Sequence, residues 1–502
     1  MNEFNKEDFI VRYPGQYDER EQAALDKWWE AANAINTRGP IDVQALVNGT
    51  LPADTPGIGP TLKVTEAMVR YNNAKYEQEN PLFNDAEYAR KAGYKDIPAY
   101  PIFGTHDDSY TCAFPEEARD TLLVSQASHW VESYQDIYPG DTLFLVIDER
   151  QMIDLTPPEG SVHRSVALYN GGTVYNQRGE IVNKCGFHYM ESLRTFKPGK
   201  MPPGFKEMGF LSMWEAPDWM DKEDRVYTDE DYEYMKNIWK NEKIQGAEPL
   251  YWEDVNIGDE PPRTLEGPII DCSLPSTPYG MGIGGTRTMK KEILDDEIRK
   301  TMIKDAHGIL RLPNEADYTP SVPDGAKSGF MIDDGRGAAL DEKMAAEGGA
   351  PDMPAPPDMP KPEMDVDTTD IHAAAGDMRA AIINFVGRDF AIHAINNWMG
   401  DKGRIFSVKW AIMPPETHAA FGHPVPESPY YVHWISQAPG MEDAHVDSHG
   451  LTRDTAEVHL VVVDKYVKNG KYLVKLIWWI SDMKGTNWVN GSAEVELPHK
   501  QA

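Results

Sequence analysis

The chain repeats one order of elements, a single helix followed by a run of long strands, and this order limits its fold more than any other feature. In the first copy a helical run begins near Val64, and beyond Phe103 the spacing of apolar residues changes from a helical to an alternating period. In the second copy a helix from about Gly376 to Met399 precedes a similar run of strands. A helix followed by antiparallel strands forms a layer of helix on sheet, so the pattern predicts an α+β fold with two such domains.

Turn residues separate the predicted strands, as at Pro139-Gly140 and Gly171-Gly172. The turn at Gly258-Asp259 resembles the one at Gly140-Asp141, and we expect a strand at Ile269-Ile270 equivalent to the one at Leu62. The long strands predicted in the first copy are Ser125–Tyr138, Thr142–Met152, Ser161–Tyr169 and Val182–Phe196. Those predicted in the second copy are Ile405–Met413, Tyr430–Ile435, Ala456–Val467, Tyr472–Ser481 and Trp488–Glu496.

Changes in composition divide the chain into four parts. We expect an N-terminal helical arm over residues 1–60, in which an aromatic stripe that includes Trp28 serves packing. A first domain over 61–200 and a second over 246–500 flank a linker or covering segment over 201–245. Within the second domain, about 338–367 is a low-complexity insertion that cannot bury enough apolar area to order itself.

Charge and cysteine usage exclude several classes of protein. The 81 acidic residues outnumber the 49 basic ones, giving a net charge of −32, which argues against a nucleic-acid partner. Cys112, Cys185 and Cys272 lie far apart, so we expect neither a disulfide framework nor a cysteine-built zinc site. The first residues do not resemble a signal peptide, and no apolar run approaches the roughly 20 residues of a membrane span. We therefore expect a cytoplasmic protein without a membrane partner.

The stretch after the first helix is the most distinctive local motif. Pro81 has a fixed φ and no N–H, so it can open a helix but cannot continue one. Asn84 or Asp85 can cap the next short helix, and Gly93 can end it in the left-handed conformation. The stretch is therefore a helix–turn–helix corner.

Four segments and the order of elements resemble the MaoC-like acyl dehydratases and enoyl-CoA hydratases, in particular the long members with two hotdog domains in one chain. The segments are Asn80-Pro-Leu-Phe-Asn-Asp-Ala-Glu-Tyr-Ala-Arg, Asn176-Gln-Arg-Gly-Glu-Ile-Val, Tyr251-Trp-Glu-Asp-Val-Asn-Ile-Gly-Asp-Glu-Pro-Pro and Trp398-Met-Gly-Asp-Lys-Gly. The resemblance covers most of residues 60–200 and 245–500 outside the insertion. It implies a lyase that adds or removes water across the α,β bond of an acyl-CoA thioester, with no cofactor and a homodimeric or hetero-oligomeric assembly.

The family's motif, Asp-x-Asn-Pro-(Ile/Leu/Val)-His, implies that an Asp and a His project from one corner at the mouth of the acyl tunnel. The first copy keeps Asn80 and Pro81 but has Gln78 in place of the Asp and Phe83 in place of the His. Neither side chain can relay a proton at neutral pH. The resemblance therefore implies that the first domain does not catalyse by the usual pair of residues.

The carboxylates beside this corner have two interpretations. Glu77, Glu79 and Asp85 could replace the missing acid–base residues, although a solvated position at a helix end is the more ordinary role for them. We adopt the second interpretation.

Two pairs in the second copy are candidate catalytic residues. Asp367 and His372 have the family's spacing, although Thr-Asp stands where the family has Asn-Pro, and a polar helix start is the more ordinary role for them. Asp389 and His393 are one turn apart on the long helix and so share a face. They form either an acid–base pair or a structural pair with a buried, hydrogen-bonded histidine.

Three residues are candidates for contacting the substrate. Asn80 belongs to the retained Asn-Pro frame, and His106, which follows an Ile-Pro-x-x-Pro stretch, could point into the tunnel of the first domain. Arg287, together with Lys290 and Lys291, is a rare basic cluster that could meet the phosphates of a CoA nucleotide or form a solvated helix start.

Two further motifs give weaker evidence for a functional site. His445-Val-Asp-Ser-His449 has metal-like spacing, but no helix or strand fixes its geometry, so we expect no metal site. The glycines of 280–285 match a dinucleotide-binding pattern in letters but lack the surrounding strand–turn–helix unit, so we expect a flexible loop.

Two alternatives to a hydratase stay open. A catalytically silent double-hotdog chain could bind acyl-CoA or hold another subunit. A different hotdog reaction, thioester hydrolysis or another lyase step, could use Glu77, Glu79 or the histidines.

Overall fold

The computed structural model contains one large antiparallel sheet with helices packed on it. It describes residues 19–77, 79–101, 103, 122–154, 164–193, 225–269, 290–313, 384–411, 434–447, 450 and 453–500. Across these ranges, none of the helices is both long and apolar enough to cross a membrane. The low-complexity insertion predicted at 338–367 lies outside the described residues.

Ten strands form the sheet in the order β1-β3-β4-β5-β2-β9-β12-β11-β10-β6, and β7 and β8 form a separate hairpin. The strands of the first domain are β1 (Ile58–Lys63), β2 (Leu122–Ser133), β3 (Thr142–Asp154), β4 (Arg164–Asn176) and β5 (Ile181–Leu193). Those that follow are β6 (Thr264–Glu266), β7 (Ile303–Lys304), β8 (Leu310–Arg311), β9 (Arg404–Ala411), β10 (Ala456–Lys468), β11 (Lys471–Ser481) and β12 (Asn487–Glu496).

The sheet is built from two copies of one five-stranded unit. Read inward from each edge, the order is β1-β3-β4-β5-β2 in the first domain and β6-β10-β11-β12-β9 in the second, so strands of equal rank occupy equal places. The units meet where β2 pairs with β9, and Val131 lies opposite Val408. The chain therefore has the double hotdog fold that the sequence predicted, an α+β arrangement with two domains sharing one sheet.

Eight α-helices are described. They are α1 (Glu19–Thr37), α2 (Val43–Val47), α3 (Glu66–Tyr76), α4 (Ala86–Ala92), α5 (Asp229–Asn241), α6 (Lys290–Leu294), α7 (Asp296–Arg299) and α8 (Asn384–Met399). Short 3₁₀ turns lie at Pro81–Phe83, Trp252–Asp254 and Ile435–Gln437. In chain order, α3 follows β1 and α8 follows β6, as expected for equivalent helices of two repeated units.

The helix α8 lies at the centre of the molecule. It contacts β9, β10, β11 and β12 on one side and α3 of the first domain on the other. From Gly387 to Met399 all its residues except Trp398 are buried, and Ile392 and Ile395 have no exposed surface. Polar side chains on such a helix must find partners within the protein, which makes them candidates for function.

The arm and the covering segment are packed elements. Trp28 of α1 is fully buried, and its ring lies beneath Arg150 of β3, which confirms a packing role for the aromatic stripe. In the covering segment, α5 buries Tyr232, Met235 and Trp239 in an apolar cluster with Leu265 and Ile309. The later part of the segment predicted at 201–245 thus covers the second domain.

The repeated Gly-Asp turns have the same local construction. Gly140 and Gly258 both have φ near +90° (91° and 92°), which an L-residue adopts only with strain. Asp141 accepts a hydrogen bond from the backbone N–H three residues before it, and Asp259 does the same. The similarity of the two turns was readable in the sequence because both depend on side chain to backbone bonds over three residues.

Four predicted strands and one predicted turn differ from the structure. The strand expected to end at Tyr169 continues as β4 to Asn176, so Gly171-Gly172 is not a turn but pairs with Glu149 and Ile147 of β3.

The strand expected at Ile269-Ile270 is interrupted: β6 ends at Glu266, before Pro268, which has no N–H for the ladder, and beyond it the backbone of Ile269 bonds to Arg453 and Asp454. Ile270 lies outside the described residues. β2 ends at Ser133, five residues before its predicted end at Tyr138. Ile435 lies in a 3₁₀ turn, where Asn490 accepts its backbone N–H in place of a strand partner.

Candidate functional site

The corner after α3 has the construction that its sequence predicts. The side chain of Asn80 accepts the N–H of Leu82, which starts the turn at Pro81. Asp85 caps α4 by accepting the N–H groups of Glu87 and Tyr88, as expected for an exposed carboxylate at a helix end. The corner is therefore rigid, and it fixes the direction of the residue that ends α3.

That residue, Glu77, is fully buried, so its interpretation as a solvated helix-end carboxylate is wrong. Its Oε1 accepts a 2.6 Å hydrogen bond from Asn396 Nδ2, and its Oε2 lies 3.2 Å from His393 Nδ1. Both partners belong to α8 of the second domain. A buried carboxylate is stable only when it is paired and hydrogen-bonded, and Glu77 meets both conditions across the domain boundary.

His393 is hydrogen-bonded at both ring nitrogens. Nδ1 faces Glu77, and Nε2 lies 3.0 Å from Asn397 Nδ2, one helical turn away. Burial by itself lowers the pKa of His393, but the charge and hydrogen bond of Glu77, with the more distant charge of Glu266, raise it above its ordinary value. The contact with Glu77 therefore favours the protonated form of the ring.

The predicted partner of His393, Asp389, binds Arg388 instead. Arg388 Nε and the Asp389 carboxylate are 2.9 Å apart, and a second guanidinium nitrogen lies at 2.8 Å. Asp389 thus neutralises a fully buried arginine, while the carboxylate on His393 Nδ1 comes from Glu77.

A second buried ion pair lies close to Glu77 and His393, which together form the dyad. Lys290 Nζ contacts the carboxylate of Glu242 and is 3.7 Å from Glu79. Burial raises the pKa of Glu242 and lowers that of Lys290, but Glu266 and the other two carboxylates raise the lysine pKa above its ordinary value. The covering segment thus supplies a charge close to the dyad.

A cavity of about 480 Å³ lies between the two domains. Its walls come from the corner, from the turn between β2 and β3, from the end of α8 and from the end of β12. Two tyrosines link the domains at this cavity. Tyr88 donates a 2.8 Å hydrogen bond to the side chain of Asp401, and Tyr94 donates a 2.6 Å hydrogen bond to the backbone of the same residue. Phe83, which replaces the expected histidine, is buried and forms part of the wall.

Asn396 connects the cavity to the dyad. It lines the cavity, and its Nδ2 holds Glu77. Within the described part of the chain, its Oδ1 has no hydrogen-bond partner although only 2% of the residue is exposed. The arrangement places a carboxylate–imidazole pair, which can take up and return a proton, one side chain away from a space that can hold a small molecule.

The candidate residues from the sequence have different outcomes. Asn80 caps the corner and lines the cavity, and His393 lies at the centre of the polar cluster. Four further candidates, Asp367, His372, His106 and Arg287, lie outside the described residues, as does Gln78.

Sequence reasoning missed Glu77 as a buried group, and it missed Asn396 and Asn397. A signal existed for the asparagines, because with His393 they place polar residues at i, i+3 and i+4 on a strongly apolar helix. No comparable signal marked Glu77, whose neighbours in sequence are polar and whose burial is produced by a distant helix.

The metal-like motif receives little support. His445 Nε2 is 3.3 Å from Asp447 on an exposed loop, and His449 lies outside the described residues. In the ranges that the structure describes, no three His, Cys, Asp or Glu side chains meet in a way that could hold a metal ion. The glycine-rich stretch 280–285 also falls outside those ranges.

Comparison with known proteins gives structural matches only. No family model and no curated protein matches the chain. A solved MaoC-like dehydratase is 13% identical, covering 88% of this chain and 98% of its own, with a TM-score of 0.39. A MaoC domain protein dehydratase from Chloroflexus aurantiacus is 10% identical, covering 88% and 96%, with a TM-score of 0.39.

A Mycobacterium tuberculosis protein described as having a double hotdog fold is 9% identical, covering 88% of this chain and 94% of its own, with a TM-score of 0.38.

Proposed function

We propose that the chain is a hydratase/dehydratase that adds or removes water across the α,β bond of an acyl-CoA thioester. The observation that carries the proposal is the buried pair of Glu77 and His393, 3.2 Å apart. The pair is separated from the interdomain cavity by Asn396, which lines the cavity and bonds to Glu77. The resemblance of the corner to that of the MaoC-like dehydratases supports the same class of reaction. The acid–base residues differ from the family's motif, since the carboxylate ends α3 and the histidine comes from the other domain.

The pair suits a reaction that moves two protons without oxidation or reduction. In hydration, the oxygen of water bonds to the β-carbon and its proton passes to the pair. The π electrons move to the α-carbon and the thioester carbonyl, and the pair returns one proton to the α-carbon. Dehydration is the reverse sequence, and the protein ends each turnover in its starting protonation state.

Neighbouring groups support the acid–base role of Glu77 and His393. Asn396 fixes the carboxylate of Glu77, so the reacting groups are held before substrate arrives. The raised pKa of His393 favours the protonated ring, which can transfer a proton to carbon or to a leaving hydroxyl. The proposed reaction requires no cofactor, and the dimeric or hetero-oligomeric assembly implied by the resemblance stays a prediction.

A hydration assay tests the proposal. A panel of 2-enoyl-CoA esters is followed by the loss of the enoyl thioester absorbance, with the wild-type protein, Glu77→Gln and His393→Asn. Both variants should lose at least about 100-fold in kcat, the usual contribution of a positioned acid–base group. His445→Asn is the matched control, because it removes an exposed histidine from a loop and should retain the wild-type rate. Wild-type rates in both site variants would contradict the assignment.

One observation favours a second candidate function, a silent double hotdog that binds acyl-CoA. Phe83 puts an inert ring on the cavity wall, at the position where the family's motif has its histidine. The same assay distinguishes the two functions, since a silent protein would bind the esters without turnover. Release of free thiol in the assay would instead indicate thioester hydrolysis.

A further inference from the structure

The hydrogen bond at the far side of the His393 ring depends on the ring's protonation state. Asn397 Nδ2 faces Nε2 at 3.0 Å, an arrangement that requires Nε2 to be unprotonated and to accept the bond. The Oδ1 atom of Asn397 has no partner among the described residues, although the residue is only 4% exposed. The amide therefore has one terminus in use and an equivalent terminus unused.

Protonation of the ring reverses what Nε2 needs. An imidazolium Nε2–H is a donor, and it would oppose the amide N–H in a site with little access to water. A half-turn of the carboxamide exchanges Nδ2 and Oδ1 with almost no change in shape, since the two groups are nearly the same size. After that turn, Oδ1 accepts the charged N–H, and the strong bond replaces the weak one.

We propose that Asn397 is a positioning residue whose carboxamide rotates with the protonation state of His393, so that the buried ring is hydrogen-bonded both before and after it transfers a proton. The catalytic consequence rests on the proposed function, because only an acid–base histidine must exist in both states during turnover. Asn396 serves the other member of the dyad, where its Nδ2 donates to the carboxylate of Glu77.

Other charges near the ring change its proton affinity without taking over this role. Glu77 from the end of α3 and Glu266 of β6 favour the imidazolium, whereas Lys290 of α6 disfavours it. Glu242 lies against Lys290 at the end of α5, and on α8 itself Asp389 is paired with Arg388. None of these groups bonds to His393 Nε2, whose partner among the described residues is Asn397.

A titration of Asn397→Leu distinguishes rotation from a fixed amide. If the amide rotates, leucine removes an acceptor from the imidazolium, and the proton-binding constant of His393 falls by about three- to tenfold. If Nδ2 stays fixed towards the ring, leucine removes an opposed donor, and the constant rises. The measurement is ¹⁵N NMR of histidine-labelled protein over a range of pH, with the resonance assigned by His393→Asn. An unchanged or increased constant overturns the proposal.

Two further measurements guard against a variant that does not fold. Asn397→Asp keeps the side-chain size and offers only acceptors, so His393 should hold its proton to higher pH. Asn469→Asp is its charge-matched control on an exposed hairpin turn with φ 54°, and it should leave the titration unchanged.

In the wild-type protein, a nitrogen–nitrogen coupling across the bond from Asn397 to His393 should be present for the neutral ring and absent for the imidazolium. A coupling that persists in both forms, or occurs in neither, refutes rotation. These readouts need no substrate, so a failed hydration assay and a failed titration are separate results.

Discussion

Replacement of Glu77 by glutamine should reverse the sign of the contribution that His393 makes to the pH dependence of folding stability. In the wild-type protein burial lowers the pKa of His393, but the charge and hydrogen bond of Glu77, with the charge of Glu266, raise it above its ordinary value. A histidine with a raised folded pKa stabilises the fold fully below its unfolded pKa, and that contribution is lost as the pH rises through the folded value. Without the carboxylate, burial dominates, and the folded pKa falls below its ordinary value.

The magnitude follows from the geometry of the pair. Glu77 is 0% exposed, and its Oε2 is 3.2 Å from His393 Nδ1, so water cannot replace the lost partner. Breaking such a buried pair costs about 3–5 kcal/mol while the histidine is charged. The destabilisation should be largest below the ordinary histidine pKa of 6.5 and should shrink as the pH rises, because the neutral ring needs no anion.

Urea denaturation at several pH values measures this effect, with the free energy of unfolding compared between Glu77→Gln and the wild-type protein. Glu87→Gln is the matched control, since Glu87 lies in an exposed i,i+4 pair with Lys91 on the next helix and should change stability by less than about 0.5 kcal/mol. A loss for Glu77→Gln that is the same at every pH, or as small as that of the control, would refute the pairing argument.

Two more predictions concern groups outside the dyad. Lys290→Met should lower the free energy of unfolding by about 3 kcal/mol near neutral pH, because it leaves Glu242 buried without its cation; thermal denaturation checks this, with the exposed Lys300→Met as a near-neutral control. Burial lowers the pKa of His459 to about 4 from 6.5, so the unfolded chain takes up its proton first and stability falls as the pH drops between these values. His459→Gln, which can still bond Ser481, should remove up to about 3 kcal/mol of that loss; an unaltered acid limb in unfolding titrations would show that His459 does not cause it.

Much of the fold was readable because its determinants lie close together in the sequence. The change from helical to alternating spacing identifies both copies of the unit, and Pro81, Asp85 and Gly93 mark the corner through contacts within a few residues. Even where boundaries differ, as at the end of β2, the element itself was predicted correctly. The sheet order could not be inferred in the same way, since pairing such as that of β2 with β9 joins distant segments.

The sequence by itself determined the α+β class, the two repeated units, the corner and the presence of a polar histidine on an apolar helix. Only the tertiary structure decided that Glu77 is buried and that its partner is 316 residues away, where the sequence suggested Asp389. The physical reason is that a helix cap depends on its neighbours in the chain, whereas burial of a charge depends on what packs over it. In this chain α8 packs over the end of α3, and this contact buries Glu77 and makes it one of the two dyad residues of the candidate site.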